Sequence, residues 1–217
     1  MAAKRRLLIV GAGAFGRELE SWIDMIPDPK RDWTLYGYLD DTPVSPLAGF
    51  DTQYRVLARI DDFLFEPGDL ALVAIADPAG KRKVVARLEG RVEFLTFVVP
   101  GAFVGKRVTL GRGTVIIKDC ILTADIEVGE FVTINSGTII GHDCRIGDYA
   151  SLMGNVGMGG GCIIGESAFL GGCATLIPKR RVGDHAVVGA GAVVFRHVPA
   201  GASVVGNPAQ VLMEEPL

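Results

Sequence analysis

The second half of the chain repeats a hydrophobic residue every six positions. From Val98 to Val194, all seventeen positions at this spacing hold an aliphatic residue or Met, and ten of them are followed by Gly. The residues two positions before these anchors are mostly small. A six-residue period fits neither an α-helix nor a simple alternating strand. It predicts short extended segments separated by tight corners, at which Gly or Asn supplies the backbone angles.

Stacked segments of this kind form coils around a continuous aliphatic column, about 4.8 Å apart. With three sides to a coil, seventeen hexads make about six coils. Cys120, Cys144 and Cys162 take the small inward position, so we expect reduced core residues rather than a disulfide or a zinc site. Arg180 also takes the small inward position. A long charged side chain there predicts a distorted coil or a local shift in the register of the repeat.

The unbroken repeat and the tail VVGNPAQVL at 204–212 resemble the hexapeptide-repeat acyltransferases. This resemblance implies a left-handed parallel β-helix, whereas the general preference for right-handed crossovers would predict the opposite hand. It also implies a homotrimer with active sites in the clefts between neighbouring β-helices. Because non-enzymatic members share the repeat, it specifies the fold better than the chemistry.

The first half of the chain alternates between strand and helix patterns. Strands are predicted at 6–10, 35–41, 69–77 and 93–99, and helices at 15–26 and 79–90. This alternation is typical of a parallel sheet. We therefore expect an α/β, half-Rossmann-like nucleotide-sugar-binding domain at 1–95 and a β-helix acetyltransferase domain with its tail at 96–217.

The segment LLIVGAGAFGRE places Gly11, Gly13 and Gly16 between a strand and a helix. Backbone N–H groups at such a helix start favour a diphosphate. The alternative is that the glycines serve only a tight turn and close packing. Only one mononucleotide half fits before the repeat begins, whereas a dinucleotide fold needs two. We therefore expect a single nucleotide rather than NAD, which disfavours a nicotinamide oxidoreductase.

The segments GAGAFGRE, GYLDD and VAIAD, followed by the repeat, resemble nucleotide-linked amino-sugar N-acetyltransferases of the sialic-acid O-acetyltransferase-like family. The resemblance implies acetyl-CoA-dependent acetylation of the 4-amino group of a nucleotide-linked 4-amino-4,6-dideoxy sugar. GDP-perosamine is the best match among the sugars. UDP- or dTDP-linked sugars, O-acetylation and a non-catalytic nucleotide-sugar scaffold remain open.

His142, in the segment TIIGHDCRIG, is the candidate base, with Asp143 beside it. A sugar amine is mostly protonated at neutral pH, and imidazole is suited to take up its proton during attack. Asp143 at the other ring nitrogen would fix the tautomer and favour the imidazolium. A metal site would need three converging histidines. His185 lies 43 residues after His142, out of register with an 18-residue coil, so no metal is expected.

The resemblance also assigns binding residues. For acetyl-CoA it points to the following positions, with the basic pair suited to coenzyme phosphates: Ser151, Gly160, Gly172, Lys179, Arg181, Ala190, Asn207 and Pro208. For the nucleotide sugar it points to Gly13, Ala14, Phe15, Asp40, Asp41, Asp77 and Lys81. The chain departs from many relatives at Phe15 and from some at Ser151, since both positions can hold histidine in the family.

The net charge of −3 and the lack of a long basic run argue against a general nucleic-acid binder. No apolar run approaches the length that crosses a membrane. The stretch LLIV near the N-terminus is too short for a signal peptide core and reads as a buried strand. These features favour a cytoplasmic protein without membrane insertion.

Overall fold

The computed structural model describes residues 4–42 and 46–212. The chain divides into two compact units, Met1–Val99 and Pro100–Leu217. The first unit has five parallel strands in the order β3-β2-β1-β4-β5. They are β1 (Arg5–Val10), β2 (Trp33–Leu39), β3 (Val56–Ala58), β4 (Leu70–Val73) and β5 (Glu93–Phe94), and a further short strand, β6, spans Phe97–Val98.

Two helices connect the strands of the first unit. Helix α1 (Ala14–Asp24) follows β1 and buries Leu19 and Ile23. Helix α2 (Pro78–Leu88) follows β4, and the Asp77 side chain caps it by accepting a hydrogen bond from the Gly80 N–H at 2.6 Å. The predicted parallel sheet is confirmed, but the prediction left β3 as loop. This strand has only three residues, too few to show the alternation by which a strand is recognised.

The second unit is a parallel β-solenoid, as the repeat predicted. Its three faces are built from two-residue strands, and each strand pairs with the one 18 residues later, as in Ile121 with Ile139. The first face contains β7 (Phe103–Val104), β10 (Ile121–Leu122), β13 (Ile139–Ile140), β16 (Gly157–Met158), β19 (Thr175–Leu176) and β22 (Val193–Val194). The second face contains β8 (Thr109–Leu110), β11 (Glu127–Val128), β14 (Arg145–Ile146), β17 (Ile163–Ile164) and β20 (Arg181–Val182).

The third face contains β9 (Val115–Ile116), β12 (Thr133–Ile134), β15 (Ser151–Leu152), β18 (Phe169–Leu170) and β21 (Val187–Val188). The strand β23 (Ser203–Val205) extends it, and β24 (Gln210–Val211) adds an antiparallel edge. The anchors from Ile116 to Val194 are buried, and so are the three predicted core cysteines. Val104 and Leu110, at the start of the repeat, remain partly exposed.

Every corner from Arg107 to Gly191 contains one residue with positive φ. These residues recur at six-residue steps, with φ between 54° and 71°. Most of them are not Gly or Asn, contrary to the expectation from the sequence, and they include Phe131 (φ 54°) and Tyr149 (φ 61°). Such a backbone costs about 1–2 kcal/mol for an ordinary residue. Hydrogen bonds between coils offset that cost; the Tyr149 N–H, for example, donates to the Glu130 carbonyl at 2.8 Å.

The coil around Arg180 is regular, so neither expected irregularity is present. The adjacent Arg181 pairs in register with Ile163, and Lys179 has the usual corner φ of 63°. The half-buried Arg180 guanidinium instead donates to the Pro178 carbonyl at 3.2 Å and to the Phe195 carbonyl at 3.4 Å. A long cationic side chain thus satisfies backbone carbonyls where the repeat elsewhere places a small residue.

Candidate active site and nucleotide site

His142 lies on the corner between the first and second faces, directly after β13. Its side chain is 70% exposed, and its Nδ1 lies 2.6 Å from Oδ2 of Asp143. Because a carboxylate accepts, this contact suits the tautomer of the neutral ring that has its N–H at Nδ1 and its lone pair at Nε2. The corner conformation positions Asp143, which has φ 58° and donates its backbone N–H to Ala124 at 3.2 Å.

Gly160, one coil further along the same corner, provides room for the imidazole ring. A Cβ at this position would lie 2.7 Å from both Cε1 and Nε2 of His142. The Gly161 N–H donates to the His142 carbonyl at 2.8 Å, which fixes the two coils against each other. The structure thus brings three sequence-predicted residues, His142, Asp143 and Gly160, into one constellation.

A charged groove of about 340 Å³ lies beside Asp143 on the second face. Its lining includes Arg107 and Asp125, which form an ion pair with a second contact of 2.8 Å. The Arg107 guanidinium lowers the pKa of the Asp125 carboxyl, and His142 acts in the same direction. Arg145 adds a further cation, 3.4 Å from Glu127. The candidate base therefore lies at the edge of a surface that carries both signs of charge.

The corner that holds His142 continues toward the C-terminal end of the solenoid. Its successive coils bring Lys179 and then the pair Arg196 and His197 to the same edge. Three coil steps at about 4.8 Å each place this basic end roughly 14 Å from His142. The backbone N–H of Arg181 donates to His197 Nδ1 at 3.1 Å, so that histidine has a structural contact.

A cavity of about 530 Å³ lies at this end of the solenoid. Phe195, Arg196, His197 and the predicted Pro208 are among its lining residues. Asn207 precedes Pro208 and is exposed. The sequence analysis did not single out Arg196. Counting 18-residue steps from His142 would have found it, since the third step ends at this residue.

The remaining acetyl-CoA candidates lie elsewhere in the chain. Gly172 and Ala190 occupy successive coils of the corner between the third and first faces, across the first face from His142. Ser151 lies in β15 on the third face, and its side chain is fully buried. A single chain therefore does not bring all the predicted acetyl-CoA residues to one edge.

The glycine turn of the first unit lies at the carboxyl end of β1, where the strand order changes direction between β1 and β4. Ligands of open α/β sheets bind at such a switch point. Gly11 has φ 103°, and a Cβ on Gly16 would lie 2.1 Å from the Gly11 carbonyl oxygen, so both are required by the turn. A Cβ on Gly13 would meet nothing within 4 Å, and Gly13 has φ −70°. Packing therefore explains two of the three glycines and does not explain Gly13.

The carboxylates predicted to contact the nucleotide already have partners within the chain. Asp40 accepts from the Ala12 N–H at 2.7 Å and from the Thr42 N–H at 2.8 Å, which ties β2 to the glycine turn. Asp41 accepts from Arg87 at 2.6 Å and from the Ile60 N–H at 3.1 Å. The Arg87 guanidinium lowers the pKa of Asp41. Asp40 thus lies at the turn, whereas Asp41 connects β2 to α2.

The loop after β4 supplies Asp77 and Lys81, on the other side of the switch point. Lys81 is almost completely buried in the first turn of α2. Burial lowers its pKa to about 7, and the nearby Asp77 opposes that shift. Ala14 is exposed and Phe15 is half-buried, both in the first turn of α1. A partly neutral lysine in the first turn of α2 is suited to gain its proton when an anion binds.

Among residues 4–42 and 46–212, no three side chains of His, Cys, Asp or Glu are grouped so as to hold a metal ion. Within the same ranges, none of the helices has the length and apolarity needed to cross a membrane.

By sequence, no family model and no curated protein matches the chain. Solved structures match nearly its whole length. The acetyltransferase domain of PglB from Neisseria gonorrhoeae FA1090 superimposes with a TM-score of 0.83 at 24% identity, covering 96% of this chain and 100% of that domain. A second structure of that domain contains acetyl coenzyme A.

A perosamine N-acetyltransferase from Caulobacter crescentus, solved with CoA and GDP-perosamine, gives a TM-score of 0.84 at 26% identity, covering 96% of this chain and 97% of that one. In that structure one histidine is replaced by asparagine. WeeI from Acinetobacter baumannii AYE gives 0.78 at 27% identity, covering 96% of this chain and 100% of that one. The chain therefore shares its fold with these sugar acetyltransferases.

This structural similarity agrees with the resemblance to amino-sugar acetyltransferases that the repeat and the N-terminal segments showed in the sequence. The arrangement around His142 and the glycine turn is the basis for the assignments proposed below.

Proposed function

We propose that the chain transfers the acetyl group of acetyl-CoA to the 4-amino group of a nucleotide-linked 4-amino-4,6-dideoxy sugar, with GDP-perosamine as the best candidate. The observation that carries this proposal is the His142–Asp143 pair, 2.6 Å apart on an exposed corner with Gly160 opening space at Nε2. Similarity at 26% identity to an enzyme solved with CoA and GDP-perosamine supports the choice of substrates.

In the proposed reaction the neutral form of the sugar amine is the nucleophile, and His142 Nε2 takes a proton from it as the nitrogen attacks the thioester carbonyl. Asp143 holds the ring by Nδ1 and stabilises the imidazolium that forms. As the C–S bond breaks, the imidazolium returns the proton to the departing thiolate, so the base is regenerated. The backbone N–H groups of the glycine-rich corners are the available donors for the oxyanion. Cys144 is buried in the core, which favours direct transfer without an acyl-enzyme.

The coenzyme is proposed to run along the His142 corner toward the basic C-terminal end. Lys179, Arg181 and Arg196 would then pair with its phosphates. The cavity beside Pro208 would flank the far end of the molecule. Gly160 would combine two roles, since it borders both the base and this path.

A homotrimer would explain why the acetyl-CoA candidates lie on two corners. Gly172 and Ala190 flank one edge of the first face and Gly160 flanks the other, so two copies packed side by side would bring both edges to one coenzyme. The first face also exposes Phe103 (58%), Ile139 (50%) and Ile121 (38%). Burying such side chains between copies is favourable by about 25 cal/mol per Å² of apolar surface.

The first unit is proposed to act as a half-Rossmann mononucleotide site. Gly13, Ala14 and the start of α1 would contact the diphosphate, while Asp40 and Lys81 border the same switch point. Asp41, Asp77 and Phe15 would act nearby, mainly by fixing the loops. We further propose that the β-helix is left-handed and that the boundary between the two domains lies near residue 95. The sequence also favours a cytoplasmic location, which we propose as well.

The decisive experiment measures acetyl-CoA-dependent release of CoA with GDP-, UDP- and dTDP-linked 4-amino-4,6-dideoxy sugars, together with hydroxyl analogues. We expect one amino sugar to be preferred, and His142→Asn to lower kcat by at least about a hundredfold. His185→Asn is the matched control, because His185 is an exposed corner histidine outside the site. A preference for hydroxyl acceptors would redirect the reaction to O-acetylation. No turnover from intact oligomer would contradict the enzymatic proposal.

A further inference from the structure

Arg17 occupies an unusual position beside the glycine turn. It lies in the first turns of α1, and its guanidinium carbon is 3.8 Å from the centre of the Phe50 ring. Its Nη1 lies 3.5 Å from the Ala12 carbonyl and 3.4 Å from the Pro46 carbonyl. Both hydrogen bonds are at the long limit for such contacts, so they hold the group weakly.

The charge of Arg17 is not neutralised by an ion pair in the described ranges. Two other arginines of the first unit behave differently. Arg6, for example, bonds Asp69 at 2.6 Å, and Arg87 bonds Asp41 at 2.6 Å. The nearest acidic side chain on the same helix face, Glu20, accepts instead from Thr52 at 2.6 Å and from the Tyr38 hydroxyl. Arg17 therefore retains donors for a stronger acceptor than a carbonyl.

Open space lies on the same side of the helix. The Arg17 N–H donates to the Gly13 carbonyl at 3.1 Å, so the two residues are one helical turn apart and share a face. Gly13 is the position at which a Cβ would meet nothing within 4 Å. A cation held loosely beside a vacant helix start is suited to an anion with several oxygens, since a guanidinium can bond two of them at once.

We propose that Arg17 binds the diphosphate of the nucleotide sugar and that Phe50 holds the guanidinium plane for it. The inference rests on the proposed nucleotide site and adds a residue that the sequence analysis did not select. Phe50 is 53% exposed. Its ring face can hold the guanidinium by a cation–π contact. When a diphosphate binds, its oxygens replace the two long carbonyl contacts of Arg17.

A purely structural role for Arg17 makes a different prediction. If the side chain only tied residues 46–50 to α1, its loss would lower the free energy of unfolding and would weaken every ligand of the site alike. Contact with the diphosphate affects only ligands that contain phosphate. A comparison of a nucleoside with its diphosphate therefore separates the two roles.

The experiment measures binding of GDP, UDP and dTDP by calorimetry, and binding of the corresponding nucleosides by ligand-observed NMR. With the preferred base, Arg17→Gln should weaken diphosphate binding about ten- to a hundredfold. The nucleoside affinity and the denaturant midpoint should stay unchanged. Arg55→Gln removes an exposed cation from the same unit and is the matched control. Phe50→Leu should weaken diphosphate binding about threefold, because the guanidinium loses its platform.

In turnover, Arg17→Gln should raise KM for the nucleotide sugar and leave kcat and the KM for acetyl-CoA unchanged. Equal weakening of nucleoside and diphosphate would overturn the assignment, and so would a diphosphate affinity equal to that of the wild type. If the wild-type protein binds none of the three diphosphates, the nucleotide site itself is wrong and the role of Arg17 with it. If the wild-type protein binds a diphosphate and Arg17→Gln binds it equally well, only the assignment of Arg17 is wrong.

Discussion

The two units of this chain place their candidate residues in different ways. In the solenoid every corner has nearly the same backbone, with φ between 54° and 71° over fifteen consecutive hexads. Position along the repeat therefore determines where a side chain points, and His142 lies at the surface because of its register. In the α/β unit the glycine turn lies at one switch point of the sheet, and the neighbouring loops are distant in sequence. In a repeat, the position of each side chain follows from its place in the sequence. In a sheet, it depends on the order of the strands.

The first test of this comparison is whether all anchors of the repeat are equivalent. Leu152 lies fully buried in the middle of the third face, whereas Val104 is 37% exposed at the start of the first face. Leu152→Ala should lower the free energy of unfolding by about 2–5 kcal/mol, since it leaves a cavity between coils. Val104→Ala should cost less than about 1 kcal/mol. Equal losses in denaturant titration would show that the ends of the solenoid are as tightly packed as its centre.

The glycine turn offers the matching test in the α/β unit. Gly16→Ala should destabilise the protein by about 3 kcal/mol, because its Cβ would lie 2.1 Å from the Gly11 oxygen. Gly13→Ala should leave the free energy of unfolding within about 0.5 kcal/mol of the wild type. It should nevertheless weaken binding of a nucleoside diphosphate, measured by calorimetry. If Gly13→Ala binds normally, its open space does not belong to the ligand.

A single methyl group should disturb the candidate base. Gly160→Ala places a Cβ 2.7 Å from Nε2 of His142, and the exposed ring can move away from it. We therefore expect kcat to fall about tenfold with little change in stability, since misplacing a general base affects mainly the chemical step. Gly154→Ala is the control, because its Cβ would approach only the Ser136 carbonyl, at 3.5 Å. Normal turnover of Gly160→Ala would place the reacting nitrogen elsewhere.

A further test concerns the buried lysine and the dependence of its contribution on pH. The pKa of Lys81 falls to about 7 in the folded chain, below the value of about 10.4 for a free lysine. Between these two values the unfolded state binds more protons, so wild-type stability rises with pH relative to Lys81→Met. The slope is at most about 1.4 kcal/mol per pH unit, and it vanishes below pH 7. Parallel stability curves for the two proteins between pH 7 and 10 would show that burial does not depress this pKa. Lys83→Met, an exposed change on the same helix, is the control.

The repeat allowed most of the solenoid to be predicted from sequence. Step counting located the anchors and the inward cysteines, because the coil converts sequence distance directly into position. It did not predict that Phe131 and Tyr149 adopt positive φ, since coil-to-coil hydrogen bonds outweigh local preference there. The distorted coil or shifted register expected at Arg180 was wrong, because the side chain is long enough to reach two backbone carbonyls. In the α/β unit the pattern located the helices and most strands but left β3 as loop, because three residues are too few to show a strand period.

The sequence by itself determined the period of the solenoid, the parallel sheet and the residue types of the candidate sites. Those features depend on local spacing and on side-chain chemistry, which a sequence states directly. The tertiary structure alone decided that Gly160 faces the His142 ring and that Gly13 has open space while Gly16 does not. It also showed that Asp41 pairs with Arg87 and that Arg17 rests on Phe50. These contacts join residues distant in sequence, and their distances are set by how strands, coils and loops pack against one another.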